Sequence, residues 1–198
     1  LFRLYREYVP VNDSFENLRP YVERHKHGEE NVLFPGKPDM YATTSGTTAE
    51  PKWVPMTHKY IKDVYGKMTH VWIWNFITHR SRIFGGHILQ TVGKECEGYA
   101  PDGTLFGSVS GVLVRDVPAI IKKHYTQPPS VVSIADYNAR NYTLVRLALQ
   151  WRDVTLWATA NPSTILELLR VVDEHADLLI DDIEHGTLTY DFDVSLYI

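Results

Sequence analysis

Apolar and polar residues alternate along the chain in a pattern that predicts short strands separated by helices. A helix is predicted over residues 14–27, with Ser14 as its N-cap, because a serine hydroxyl can accept hydrogen bonds from first-turn N–H groups. Short strands are predicted over residues 40–43 and 52–55. The two strands bracket a polar loop, so the sequence predicts a strand-turn-strand unit at this place.

A long helix is predicted directly after this unit, from Thr57 to about His79. Its apolar residues recur three and four positions apart, which predicts that one face of the helix is buried. These apolar positions are Ile61, Val64, Tyr65, Met68, Val71, Trp72 and Phe76.

The second half of the chain continues the alternation. Ser133 or Asp136 is predicted to cap one helix, and Asn161 followed by Pro162 is predicted to open another. The predicted elements are a strand at 86–92, helices at 112–125 and 134–151, a strand at 153–159, a helix from 161 to about 174, and a further helix that begins near 173–175. The two strands are the best candidates for a sheet core. We therefore predict an α/β domain, a layered β-sheet with helices, in one continuous body.

Composition and charge narrow the class of partner. The 198 residues are 44% hydrophobic with a formal net charge of −4, and no stretch clusters Lys and Arg with aromatic residues, so no nucleic-acid partner is expected. The most hydrophobic run, residues 71–77, is too short to span a bilayer, so no membrane partner is expected. The single cysteine, Cys96, excludes an internal disulfide and fits a reducing compartment, which predicts a cytoplasmic location.

The histidines and acidic residues do not follow the spacing of a metal site. There is no His-Glu-x-x-His or Cys-x-x-Cys, and His25 and His27 are expected on different faces of a helix, solvated or structurally paired. An acidic cluster near the end of the chain lacks the spacing of a Ca²⁺ loop and is expected on a solvated helix face. It contains Asp177, Asp181, Asp182 and Glu184.

The loop between the first two strands concentrates groups that bind phosphate. Ser45, Thr47 and Thr48 supply hydroxyl donors, Gly46 permits close backbone approach, and Lys52 supplies a cation. The segment lacks the two glycines followed by Lys and Ser/Thr of a Walker A motif. Taken alone, such a loop is also compatible with a hydroxyl-rich turn without chemical function. The positions of Pro51 and Lys52 favour a phosphate loop.

The order Thr-Ser-Gly-Thr-Thr-x-x-Pro-Lys, residues 44–52, resembles the phosphate loop of the adenylate-forming superfamily, with Ala49 where a glycine is usual. The following Lys-x-x-Pro, residues 52–55, is similar to the auxin-responsive Gretchen Hagen 3 family of acyl-acid amido synthetases. Other segments are similar to that family in the expected order and serve as supporting context. They are residues 9–11, 15–24, 28–30, 107–111 and 153–163.

The resemblance implies an ATP- and Mg²⁺-dependent ligase that activates a small carboxylic acid as an acyl-adenylate and then joins it to an amine or amino acid. It implies Lys52 as the catalytic residue. It assigns phosphate binding to Thr44, Ser45, Gly46, Thr47, Thr48 and Lys52. It also makes His70 and Trp74, on the helix after the loop, candidates for substrate contact, and Arg115, just after Gly111, could pair with a carboxylate substrate. For the helix residues core packing is favoured over substrate contact, and for Arg115 a solvated loop position is favoured.

The family's proteins are more than twice this length, so residues 1–198 are expected to be part of a large N-terminal adenylation domain, truncated at both ends and without the C-terminal domain. The family's Tyr-Gly-x-Ser/Thr-Glu motif is absent from this sequence, which predicts that the chain is inactive alone. Two alternatives stay open. One is an acyl-coenzyme A ligase, which would form a thioester, and the other is a non-catalytic nucleotide-binding module.

Overall fold

A computed structural model describes residues 2–9, 11, 14–44, 51–115, 117 and 119–189 of the chain. These residues form a mixed α/β structure, which confirms the predicted fold class. The chain divides into two compact units. The first comprises Leu1–Tyr65 with Cys96–Ser108, and the second comprises Gly66–Glu95 with Val109–Ile198.

The first unit is built on a four-stranded sheet with the strand order β2-β1-β5-β4. Strands β1 and β2 are antiparallel, β1 and β5 are parallel, and β4 and β5 are antiparallel. Among the described residues, strand β2 therefore lies at one edge of the sheet. The strands are β1 (Met40–Thr44), β2 (Lys52–Met56), β4 (Gly98–Tyr99) and β5 (Leu105–Gly107), and the helices of this unit are α1 (Phe2–Tyr8) and α2 (Arg19–Lys26).

The core of the first unit lies between α2 and the sheet. Val22, Tyr41 and Ala100 are buried there, and Phe15, Trp53 and Phe106 pack against them. Ser14 caps a short 3₁₀ turn, Phe15–Asn17, through a hydrogen bond from the Glu16 amide, as predicted. The predicted helix over residues 14–27 thus consists of this turn followed by α2.

The second unit contains a parallel pair of strands, β3 (His87–Thr91) and β6 (Val154–Thr159), which confirms both strands predicted there. Three helices complete its core, namely α6 (Tyr137–Leu149), α7 (Ser163–Glu174) and α8 (Ala176–His185). Asp136 caps α6 by accepting from the Ala139 amide at 2.7 Å, so the second of the two predicted caps is the observed one. α7 begins at Ser163 with Pro162 as its N-cap, one residue later than the predicted Asn161 cap, although the Asn161 side chain accepts from the Ser163 amide at 3.1 Å.

The region predicted as one helix over residues 112–125 forms two short helices instead, α4 (Val109–Arg115) and α5 (Ala119–Lys122). The sequence carries Pro118 between them, and a proline disfavours the helical conformation of the residue before it. The prediction of a single helix was therefore wrong.

The long helix after β2 also differs from its prediction. It begins with the Thr57 hydroxyl accepting from the Tyr60 amide, continues as a π-helix over Tyr60–Gly66, and becomes α3 over Lys67–Arg80. None of the residues in these two segments is buried. The predicted buried face is wrong for two reasons: the π-helical segment interrupts the 3.6-residue period, and the apolar side chains of α3 surround the helix axis. The exposed apolar residues include Val64, Met68, Val71, Trp72, Trp74 and Ile77.

Candidate nucleotide-binding site

The β1–β2 hairpin holds the two ends of the predicted phosphate loop together. The two strands pair in register from Met40 with Met56 to Thr44 with Lys52, so Thr44 and Lys52 are direct partners at the end of the ladder that the loop closes. Ser45, Gly46, Thr47 and Thr48 lie outside the described residues. The hairpin thus fixes the spacing of the two residues between which the loop is closed.

The Lys52 side chain is exposed at this end of β2. Its Nζ lies 6.0 Å from the centre of the Phe15 ring. Glu16 is nearby, but Arg19 donates to both of its carboxylate oxygens, at 2.7 and 2.8 Å. The Arg19 hydrogen bonds are the main reason that the pKa of Glu16 is lower than its ordinary value, and the charge on Lys52 contributes less. In the described part of the chain, no carboxylate forms an ion pair with Lys52, so its ammonium is available to an anionic ligand.

Three aromatic residues of the sheet, Tyr41, Trp53 and Phe106, pack together beside the β1–β2 hairpin. The Trp53 ring is centred 4.4 Å from the Phe106 ring and 5.6 Å from the Tyr41 ring. Lys26 Nζ lies 4.2 Å from the centre of the Trp53 ring. Tyr41 is fully buried, and this burial is the main reason that the pKa of its hydroxyl is raised. The hairpin therefore rests on a packed base.

The candidate substrate residues lie in the second unit. His70 and Trp74 are one turn apart on α3, and both side chains are exposed, Trp74 by 65%. Arg115 ends α4, and its guanidinium forms an ion pair with Glu95. A role of these three residues in substrate contact stays a prediction.

Sequence reasoning placed Asp182 on a solvated face, and this was wrong: its side chain is fully buried. Its carboxylate accepts hydrogen bonds from the Tyr142 hydroxyl at 2.7 Å, from the Thr187 hydroxyl at 2.6 Å, and from the amide and hydroxyl of Thr189. Arg146 donates to the main-chain oxygen atoms of Asp182 and Thr187, at 2.9 and 3.0 Å. Burial alone would raise the pKa of Asp182, but these hydroxyl and amide donors outweigh it and lower the pKa to about 2.

One signal in the sequence could have indicated the burial of Asp182. Asp182 follows Leu179 by three residues, so both side chains lie on the same face of α8, and Leu179 is also buried.

His25 is likewise buried: its Nε2 accepts from the Leu33 amide at 3.1 Å, and its ring stacks on Phe34. Of the two alternatives predicted for His25, solvated or structurally paired, the second is the observed one.

The described residues contain neither a metal-binding cluster nor a membrane-spanning helix. No group of three or more His, Cys, Asp or Glu side chains is arranged to hold a metal ion in the described ranges. Among the helices in the described part of the chain, none combines the length and the apolar character needed to cross a membrane.

Comparison with known proteins gives the chain a family. The family model for the GH3 family N-terminal domain matches residues 2–196. No curated protein matches the chain. The solved structure of "GH3.15 acyl acid amido synthetase" is 19% identical in sequence, with a TM-score of 0.75, over 93% of this chain and 33% of that chain. The structure of "AtGH3.15 acyl acid amido synthetase in complex with 2,4-DB" is 20% identical, with a TM-score of 0.79, over 96% and 33%.

The chain thus spans about a third of the length of the solved structures that it matches. At these identities the structural likeness shows the fold, and the shared fold is that of the amino-terminal part of an acyl acid amido synthetase. The family predicted from residues 44–55 is confirmed by the independent match over nearly the whole chain. The chain belongs to the GH3 family, within its N-terminal domain.

Proposed function

We propose that this chain is part of an ATP-dependent ligase that activates a small carboxylic acid as its acyl-adenylate and transfers the acyl group to an amine or amino acid. The observation that carries the proposal is the β1–β2 hairpin, which pairs Thr44 with Lys52 at the base of the hydroxyl-rich loop. The hairpin lies in a chain that belongs to the GH3 family N-terminal domain, and this membership supports adenylate-forming chemistry at the hairpin. We also propose a cytoplasmic location, since the one cysteine, Cys96, is free and exposed.

The hairpin fits the triphosphate of ATP in charge and in exposure. Lys52 is exposed at the end of β2 and forms no ion pair with a carboxylate in the described ranges. The nearby Glu16 carboxylate is held by Arg19, so the Lys52 ammonium can bind an anionic ligand. ATP supplies the adenylyl group that makes the carboxylate reactive, and Mg²⁺ would enter with the phosphates, as it commonly does. Ser45, Gly46, Thr47 and Thr48 are proposed to donate to the β- and γ-phosphates together with Thr44.

Lys52 is proposed to stabilise the negative charge that develops on the departing pyrophosphate. No protein nucleophile is needed, because the substrate carboxylate itself attacks the α-phosphorus and the amine later attacks the activated acyl carbon. The contribution of this chain is therefore positioning and electrostatic stabilisation, both of which depend on donors held in place before the reaction.

ATP–pyrophosphate exchange in the full-length protein tests the proposal directly. The assay would use Mg²⁺ and a panel of small carboxylic acids, including 2,4-DB, because that compound is bound in one of the matched structures. Exchange that depends on one acid would establish adenylation. A second assay, with coenzyme A or amino acids as acceptors, separates an amide-forming from a thioester-forming ligase. ATP binding without exchange for any acid would contradict the ligase and favour a nucleotide-binding module.

A further inference from the structure

The first two residues of β2, Lys52 and Trp53, have different surroundings. Lys52 and Val54 are exposed, whereas Trp53 and Pro55 are partly buried, so side chains alternate across the strand. Trp53 packs against the core of its unit, whereas the Lys52 side chain is exposed at the edge of that core, with its Nζ 6.0 Å from the centre of the Phe15 ring. The position of the Lys52 main chain is therefore determined by how firmly Trp53 is held.

An anchor at Trp53 matters because, in the part of the chain that the structure describes, β2 has a paired neighbour on one side only. In the strand order β2-β1-β5-β4, β2 is an edge strand, and its ladder with β1 ends at the pair of Thr44 and Lys52. The last pair of a ladder opens more readily than its centre, since fewer contacts are lost when it does. The main-chain pairing alone would leave the end of β2 free to fray.

Three side chains from three different elements fix the Trp53 ring. Phe106 on β5 packs at a centroid distance of 4.4 Å and Tyr41 on β1 at 5.6 Å in an edge arrangement. Lys26, from the last turn of α2, places its Nζ 4.2 Å from the ring centre. A cation at this distance from an indole face is attracted to it, and the attraction is stronger where water is excluded.

The Lys26 ammonium is itself held in place. Its side chain is only 15% exposed, and Nζ donates to Glu23 Oε1 at 2.8 Å, one turn earlier on the same helix. Because the stem is packed and the head group has a carboxylate partner, the ammonium has little freedom to leave the indole.

The Phe106 ring is also constrained on a further side. A side chain at Gly98 would place its Cβ 2.8 Å from two carbon atoms of the ring, so Gly98 leaves just the space that the ring occupies. The Glu97 amide donates to the Phe106 carbonyl at 2.8 Å, and the Glu97 carboxylate accepts from the Thr43 hydroxyl at 3.2 Å. The packing under Trp53 is thus connected to β1 as well as to β5.

We propose that Trp53 is a positioning residue for Lys52. The Lys26–Trp53–Phe106 stack fixes the end of β2 and so sets the point from which the Lys52 ammonium reaches the phosphates. This inference rests on the proposed function. Trp53 itself contacts no substrate in this scheme, and its effect passes entirely through the main chain of β2. The stack therefore determines how well the cation is placed rather than whether the cation is present.

A double-mutant cycle in the full-length protein tests this relationship. Trp53→Leu removes the indole, and Lys52→Ala removes the cation on which it is proposed to act. We expect Trp53→Leu to slow ATP–pyrophosphate exchange by about 10- to 100-fold, mainly in kcat, because misplacement of a reacting group has effects of this size. In the Lys52→Ala background, Trp53→Leu should slow exchange by less than about threefold, because residues that act as one unit are non-additive.

Conservative variants provide the matched controls. Trp53→Phe keeps an aromatic face for Lys26 and should retain most of the ATP–pyrophosphate exchange rate. Lys26→Met keeps the apolar stem but removes the ammonium, so it should lose part of that rate. Val54→Ala changes an exposed neighbour on the same strand and should have no effect. If Trp53→Leu fails to fold, as judged by its thermal unfolding, Lys26→Met replaces it in the cycle with Lys52→Ala.

The outcomes separate this inference from the proposed function. Additive effects of Trp53→Leu and Lys52→Ala would overturn the positioning role, because Trp53 would then act independently of Lys52. Unchanged exchange in Lys52→Ala would overturn the role of Lys52 and the positioning role with it. If the wild type binds ATP but shows no exchange, the ligase fails, and the same cycle measured on the Kd of ATP decides the positioning role. If the wild type neither binds ATP nor catalyses exchange, the proposed function and the positioning role are both overturned.

Discussion

The Tyr142 hydroxyl donates a 2.7 Å hydrogen bond to the Asp182 carboxylate and thereby joins α6 to α8 inside the second unit. Neither group is accessible to solvent. An ionised carboxylate without solvent is stable only if its oxygen atoms are well supplied with donors, and Asp182 receives them from Tyr142, Thr187 and Thr189. The segment after α8 is thus fastened to α6 through the Asp182 side chain, in addition to the hydrogen bonds from Arg146.

We expect Asp182→Asn to destabilise the second unit by about 2–3 kcal/mol, because the amide group turns one acceptor into a donor that faces other donors. Urea unfolding followed by circular dichroism measures this loss. The matched control is Asp181→Asn, which changes an exposed carboxylate one residue away and should leave the free energy of unfolding nearly unchanged. Equal effects of the two substitutions would contradict the structural role of Asp182.

Acid should weaken the same contact. The pKa of Asp182 is about 2 in the folded chain, against an ordinary value of 3.8. A lowered pKa stabilises the fold above the ordinary value, and the stabilisation is lost as the pH falls through the folded value. Between about pH 4 and about pH 2, the free energy of unfolding should therefore fall by about 2 kcal/mol more in wild type than in Asp182→Asn. If the free energy of unfolding depends on pH in the same way in wild type and in Asp182→Asn, Asp182 is not the group responsible.

Two glycines should differ in their tolerance of alanine. A Cβ at Gly86 would lie 2.0 Å from the main-chain oxygen of Asp153, whereas a Cβ at Gly98 would meet the edge of the Phe106 ring at 2.8 Å. A main chain yields less than a side chain, so we expect Gly86→Ala to cost about 3 kcal/mol and Gly98→Ala about 1 kcal/mol. Thermal unfolding of both variants measures which substitution lowers the stability more. The double variant Gly98→Ala with Phe106→Leu should be more stable than Gly98→Ala alone, because the smaller leucine side chain makes room for the added Cβ.

Lys52→Ala in the full-length protein should slow adenylation by about 10²–10³-fold, the usual consequence of removing one preorganised charge donor. The fold should persist, because the Lys52 side chain is exposed. ATP–pyrophosphate exchange measures the rate, and circular dichroism checks the fold. Lys62→Ala, which removes another exposed lysine, is the control for the change in net charge. Equal exchange rates in Lys52→Ala and wild type would remove Lys52 from the proposed site.

Features set by local hydrogen bonds could be predicted from the sequence, and features set by distant packing could not. Ser14 and Asp136 cap their helices because each side chain reaches an amide two or three residues away. The burial of Asp182 depends on Tyr142, 40 residues earlier, and was missed. The exposure of α3 was missed for a related reason, since period alone does not reveal whether a partner covers an apolar helix.

The same distinction applies to the candidate site. The pairing of Thr44 with Lys52 follows from two short strands around a polar loop, which the sequence shows. The stack of Lys26 on Trp53 depends on the last turn of α2 meeting an edge strand, and no spacing in the sequence indicates it. The chemistry of the loop was therefore easier to predict than the means by which it is supported.

The edge position of β2 has a consequence for the behaviour of the protein in solution. An exposed strand edge is a template on which another chain can add a strand and aggregate, and proteins commonly protect such edges with lysine and proline. In β2 these residues are Lys52 and Pro55, the two fixed residues of the Lys-x-x-Pro sequence. We therefore expect the residues that mark the proposed phosphate loop also to protect the sheet against self-association. Variants at either position should be checked for aggregation before a loss of activity is interpreted.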